Sequence, residues 1–235
     1  MPTRGAHQGS PPGAARIART RMASLRHLRL STTGAALALF LAAAPVSAEA
    51  PSGEQIFDHC TQCHGSAGEG NQLVAAPPIA GMAEWYVAKQ LRKFRDGIRG
   101  KDARDHEGLR MRPMVRFLTD DTWIDNVSSY TASLPKPAPV ATLSGGDAAK
   151  GAGHYATCAA CHGLAGEGNQ ATNGPALAGQ SDWYLYQSIE KFKTGVRGSD
   201  PKDTDGAVMR GMVMILTDDQ AMKDVVAHIT SFPTN

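Results

Sequence analysis

The chain has 235 residues, enough for one large or two small domains, with 24 basic and 22 acidic side chains. Six of the basic residues and none of the acids fall in residues 1–48, so the remainder carries 18 against 22, a net −4. The pI of 8.4 therefore belongs to the leading segment and points to no nucleic acid. All four cysteines lie in two short motifs, which leaves none for a disulfide framework.

Residues 1–48 read as a cleaved signal peptide. Arg4, Arg16, Arg19, Arg21, Arg26 and Arg29 precede a mostly apolar run from Leu30 to Ala44, and Val46-Ser47-Ala48 is a small-x-small cleavage pattern. Met1 and Met22 are both candidate starts. The apolar run is 15 residues long, short of the roughly 20 that span a bilayer, so a retained anchor is disfavoured.

Cys60-Thr61-Gln62-Cys63-His64 follows, and Cys158-Ala159-Ala160-Cys161-His162 repeats it. Cys-x-x-Cys-His is the attachment signature of c-type haem: both thiols add to the porphyrin vinyl groups, and the histidine is left to bind the iron. A zinc site would place its thiol pairs closer together and needs no histidine after each. A thioredoxin-like dithiol would sit in a strand-helix-strand pattern that is missing here. Periodicity extends well beyond the motifs. Adding 98 to Gly68, Glu69, Gly70, Pro77, Trp85, Tyr86, Lys93, Arg99, Met111, Met114, Leu118 or Asp120 lands on the same residue type. Two modules are expected, residues 49–135 and 147–235, joined by a linker over 136–146. Each is small for a domain, and bound haem would supply much of its core.

The modules read as all-α with long loops. A first helix starts near Ser52 and near Asp147 and carries the motif at its C-terminal end. A second covers 83–96 and 181–194, where Val87, Leu91, Phe94 and Ile98 form one stripe. A third opens at Thr119 and Thr217, with Thr217-Asp218-Asp219-Gln220 as a capping box. The proline half of the linker is expected to be extended and its Gly145-Gly146 end flexible. Similar module surfaces suggest a pseudo-twofold pair.

His64 and His162 are the expected proximal iron ligands. Pro77 and Pro175, each 13 residues later, sit where a backbone carbonyl can receive the other imidazole N–H. Methionine is the repeated candidate for the opposite face, and both Met111 with Met209 and Met114 with Met212 satisfy the repeat. Trp85-Tyr86 and Trp183-Tyr184 suit either the haem edge or helix packing. Arg99 and Arg197 suit haem propionates, a bridge between modules, or solvent. Lys and Arg around 89–116 read as a mostly solvated surface.

These motifs, with the glycine-rich loop, the downstream proline, Met-x-x-Met and the Leu-Thr-Asp-Asp opening of the last helix, resemble class I cytochrome c. The tandem behind a signal peptide resembles the diheme cytochrome c4 family. The resemblance implies thioether links at Cys60, Cys63, Cys158 and Cys161, two covalently bound haem c, and Met111 and Met209 as the axial methionines. It further implies a periplasmic electron carrier rather than an enzyme. A quinol-oxidising cytochrome complex or a dehydrogenase would be the donor and a terminal oxidase the acceptor. The alternative is the electron-transfer subunit of a dehydrogenase such as a flavocytochrome c sulfide dehydrogenase. No membrane span is expected after cleavage, with peripheral association left open. A diheme peroxidase would need a vacant iron position, which paired methionines oppose.

Overall fold

Ser52 opens the first module with a reciprocal cap. Its hydroxyl accepts from Gln55 N, and the Gln55 side chain accepts from Ser52 N. The computed structural model describes residues 49–139 and 141–234, and the proposed signal segment lies outside them. Helix α1 (Gly53–Phe57) ends in a tightened turn, with Cys60 N bonded to Phe57 O at 2.7 Å, before α2 (Thr61–His64) restarts. The single first helix expected in module one is thus broken at 58–60. Its counterpart in module two, α6 (Ala148–His162), is continuous and capped by Asp147; the two elements are labelled in chain order with those that follow.

Helix α3 (Glu84–Arg95) buries Val87, Ala88, Leu91 and Phe94, the stripe set by its apolar spacing. Two helices appear where loops were expected, α4 (His106–Met114) and, in module two, α8 (Thr204–Met212). The apolar pattern of α4 is weak and it contains Pro113; the signal the two share is the cap. Asp105 accepts from Gly108 N at 3.1 Å, and Asp203 from Gly206 N at 3.0 Å. Helix α5 (Asp121–Ser133) closes module one. In module two α7 (Asp182–Lys193) matches α3, and α9 (Asp219–Thr230) matches α5. The caps of α5 and α9 are Asp120 and Asp218, not the threonines before them. Asp218 accepts from Ala221 N at 2.8 Å, because a carboxylate at the N-terminus satisfies an amide and opposes the dipole. Among the described residues there is no strand, only isolated bridges at Asn71–Ala76 and Asn169–Gly174.

Each module has its own core. Ile56, Phe57, Leu91, Phe94, Leu118 and Ile124 pack in the first; Tyr155, Leu185, Ile189, Leu216, Val225 and Ile229 pack in the second. The first helix crosses the last at a glycine in both. A Cβ on Gly53 would lie 2.2 Å from Asn126 O, and one on Gly151 would lie 1.9 Å from Asp224 O.

The modules meet through α3 and α7 and the N-terminal ends of α4 and α8, with twofold-related ion pairs. Lys93 bonds Asp203 at 2.5 Å, and its counterpart Lys191 bonds Asp105 at 2.6 Å. Lys191 also reaches Glu107 at 2.6 Å, and Lys89 reaches Asp205 at 2.9 Å. The basic residues expected to be solvated are therefore partly an inter-module contact: Lys93 and Asp203 are nearly buried, and Lys101 pairs with Asp200. The linker is held along module two. Lys136 donates to Ala178 O at 2.8 Å, and the amides of Thr142 and Leu143 donate to Asp182. Its Gly145 end, expected to be flexible, is held as well: Gln220 donates to Gly145 O at 2.7 Å.

Candidate haem sites

Each motif histidine ends its helix and is turned inward. Gly65 and Gly163, at φ +81° and +83°, stop the helices in the left-handed region that favours glycine. The loop then folds back. Gly70 N donates to His64 O at 2.7 Å, and Gly168 N to His162 O at 2.8 Å. A side chain at Gly70 would strike Pro78 N at 2.5 Å. This close approach brings Pro77 O to 2.8 Å from His64 Nδ1, and Pro175 O to 2.8 Å from His162 Nδ1. A carbonyl only accepts, so Nδ1 carries the proton and Nε2 keeps its lone pair. Burial lowers the pKa of both imidazoles against the opposing pull of the carbonyl, which favours the neutral, ligating form.

Cys60 and Cys158 are partly buried, each with its sulfur near the carbonyl four residues earlier, Ile56 O at 3.9 Å and His154 O at 3.8 Å. Burial pushes the Cys60 thiol up to about 11 and raises Cys158. Thiols held protonated are poor ligands for a thiolate metal site. Cys63 is exposed and Cys161 half-buried.

The methionines differ by position. Met111 packs against the core of module one, while Met114 is 46% exposed. In module two Met209 packs against the core, and Met209 and Met212 both line a cavity of 250 Å³. Cys158, Cys161, His162 and Pro175 line the same cavity, and Leu185, Ile189 and Phe192 give it apolar walls. Module one also reaches into it through Met82, Tyr86, Gln90 and Lys93, a contribution invisible to a reading of one repeat at a time. An apolar slot lined by two thiols, an imidazole and thioethers fits a haem c. The residues that would hold it are those of the motif.

Arg99 and Arg197 are not solvated. Arg99 lies over the Phe94 ring at 4.5 Å and Arg197 over Phe192 at 4.3 Å. Arg99 bridges the modules, bonding Gln90 at 2.8 Å and Tyr184 Oη of module two at 3.3 Å, while its Nε is buried without a partner. An orphaned guanidinium nitrogen beside this slot suits an anionic group such as a propionate. Burial opposes ionisation of Tyr184, but Arg99 and Arg197 together outweigh it and bring its pKa down to about 7. Trp85 and Tyr86 form an edge-to-face pair at 5.7 Å, repeated by Trp183 and Tyr184 at 5.8 Å.

Fold and sites together define an all-α protein built from two c-type haem-binding modules. A family model described as cytochrome c matches the chain twice, at residues 50–135 and 148–233. The chain belongs to the cytochrome c family, as a two-domain member of the diheme cytochrome c4 type. A thiosulfate dehydrogenase electron acceptor of Stutzerimonas stutzeri is 31% identical over 78% of this chain and 89% of its own length. A cytochrome c4 of Thiocapsa roseopersicina is 33% identical over 76% and 91%. Among solved structures, a thiosulfate dehydrogenase (TsdBA) of Marichromatium purpuratum superposes with a TM-score of 0.62 at 29% identity, covering 77% of this chain. This chain spans only 40% of that one. Two cytochrome c domains, each with a Cys-x-x-Cys-His motif, carry two covalently bound haem c, and the protein is a diheme electron-transfer protein.

Proposed function

We propose that this protein is a periplasmic one-electron carrier that accepts electrons from a dehydrogenase of the thiosulfate-oxidising kind and passes them to a terminal oxidase. When bound, each haem supplies a ferrous/ferric couple. Cys60 and Cys63, and Cys158 and Cys161, hold it as thioethers. His64 with Met111, and His162 with Met209, would hold the two irons, and the protein would act as a carrier rather than an enzyme. The Pro77 and Pro175 carbonyls fix the imidazole planes and raise ligand basicity. The observation that carries this reading is the equality of the two sites: the same 2.8 Å histidine–carbonyl bond, with a core-packed methionine in each module. The relatives named as thiosulfate dehydrogenase electron acceptors support the donor class.

Residues 1–48 would direct export and be removed, and among the described residues no helix is long and apolar enough to cross a membrane. Mixing the oxidised holo-protein with a thiosulfate dehydrogenase and thiosulfate should reduce both haems, followed by the rise of the ferrous visible bands. Full reduction by dithionite without any reduction by that enzyme would remove the donor assignment.

A further inference from the structure

The two modules carry chemically different faces at equivalent places. In module two, Val208 on α8 and Ile215 just beyond it are exposed and line the cavity beside His162 and Met209. The residues 98 positions earlier are Arg110 and Phe117. Met214, also exposed, corresponds to Arg116. Beside the motif, Thr172 donates to Cys161 O at 2.9 Å, whereas its counterpart Val74 has no hydroxyl. Val74 instead joins Leu73, which is 97% exposed, in an apolar step. Arg110 Nη2 donates to Val74 O at 2.9 Å, so the guanidinium lies against that step, and Met114 sits one helical turn along the same face. Among the described residues neither Arg110 nor Arg116 makes a salt bridge, although nine of the 18 basic residues in that region do.

We propose that the face formed by Leu73, Val74, Arg110, Met114 and Arg116 docks a redox protein that presents carboxylates around a small apolar contact, and that the neutral face of module two does not. This rests on the electron-carrier reading above. The charge pattern dictates the partner. Without residues 1–48 the chain is net negative, so its overall field repels an acidic protein. Two unpaired guanidiniums overcome that only at short range, within about 10 Å at 0.1 M salt, which orients the partner onto this face. The apolar step then excludes water at the contact, as the core of a transient interface does.

The test is an amide NMR titration of the fully reduced holo-protein with an acidic blue-copper protein in its copper(I) form, so that no electron moves. Shifts are expected at residues 73–74 and 109–117, with binding about tenfold weaker at 200 mM than at 20 mM salt. Arg110→Gln with Arg116→Gln should weaken binding about fivefold at low salt and flatten the salt dependence. Shifts centred on residues 208–215, unchanged affinity in the double variant, or equal shifts from anionic phosphatidylglycerol vesicles would each overturn it. The carrier reading fails differently, as an absence of reduction of the wild-type protein by its donor.

Discussion

Met111 and Met114 are the residues at which sequence and structure have to be combined. Spacing alone leaves the pair open, since both recur 98 positions on. Packing separates them: Met111 is held against the core, and Met114 points to solvent at 46% exposure. An axial ligand has to be fixed by its surroundings, because a mobile thioether loses its bond to solvent competitors. Met111→Ala should therefore abolish the iron–thioether absorption band of the first haem and lower its reduction potential, while Met114→Ala leaves both in place. Survival of the band in Met111→Ala and its loss in Met114→Ala would reverse the assignment. Motif residues were legible because covalent chemistry fixes their spacing. The imidazole–carbonyl bond was legible as a 13-residue interval, but the reason for it was not: Gly70 and Gly168 let the loop pass close enough to deliver the carbonyl.

At the scale of elements, the helices with strong apolar stripes were readable and those without were not. Helices α3 and α7 follow their stripes to within a residue at each end. Helices α4 and α8 are short and contain Pro113 or Gly211, and the signal they share is the Asp105 and Asp203 caps. The crossing of the first and last helices was equally hidden, because a glycine inside a helix reads as a weakness. Gly53 and Gly151 are there because the partner backbone leaves no room for a Cβ. Gly151→Ala should destabilise module two by about 1–3 kcal/mol through overpacking, despite the better helix propensity of alanine. Chemical denaturation of the holo-protein measures this. An unchanged or raised midpoint would mean that α6 and α9 shift apart freely.

At the scale of the whole molecule, the repeat foretold two equivalent modules and left their contact obscure, because every charge that makes it looks like surface in one repeat. Lys191 is 14% exposed at its side chain and faces Asp105 at 2% and Glu107 at 27%. Removing one member of such a set strands a buried charge, which typically costs about 3–5 kcal/mol, whereas removing both is close to neutral. Lys191→Met should accordingly destabilise the joined modules by an amount in that range. Adding Asp105→Asn should recover most of it, since asparagine still caps α4 at Gly108 N without the charge. The acid side of the same contact fixes a pH dependence. Burial raises Asp205 and Glu107, but the facing lysines, helped at Glu107 by a backbone amide, outweigh it, and both carboxyls sit below their ordinary range. Asp200 is lowered by Lys101. Groups with depressed folded pKa values contribute their full stabilisation above the unfolded value, about 4, and lose it as pH falls through the folded one. The denaturation midpoint of the holo-protein should thus fall below pH 4, and fall less steeply in Lys191→Met, where Glu107 has lost its partner. Parallel pH profiles for the two proteins would show that the ion pairs form without holding the modules together.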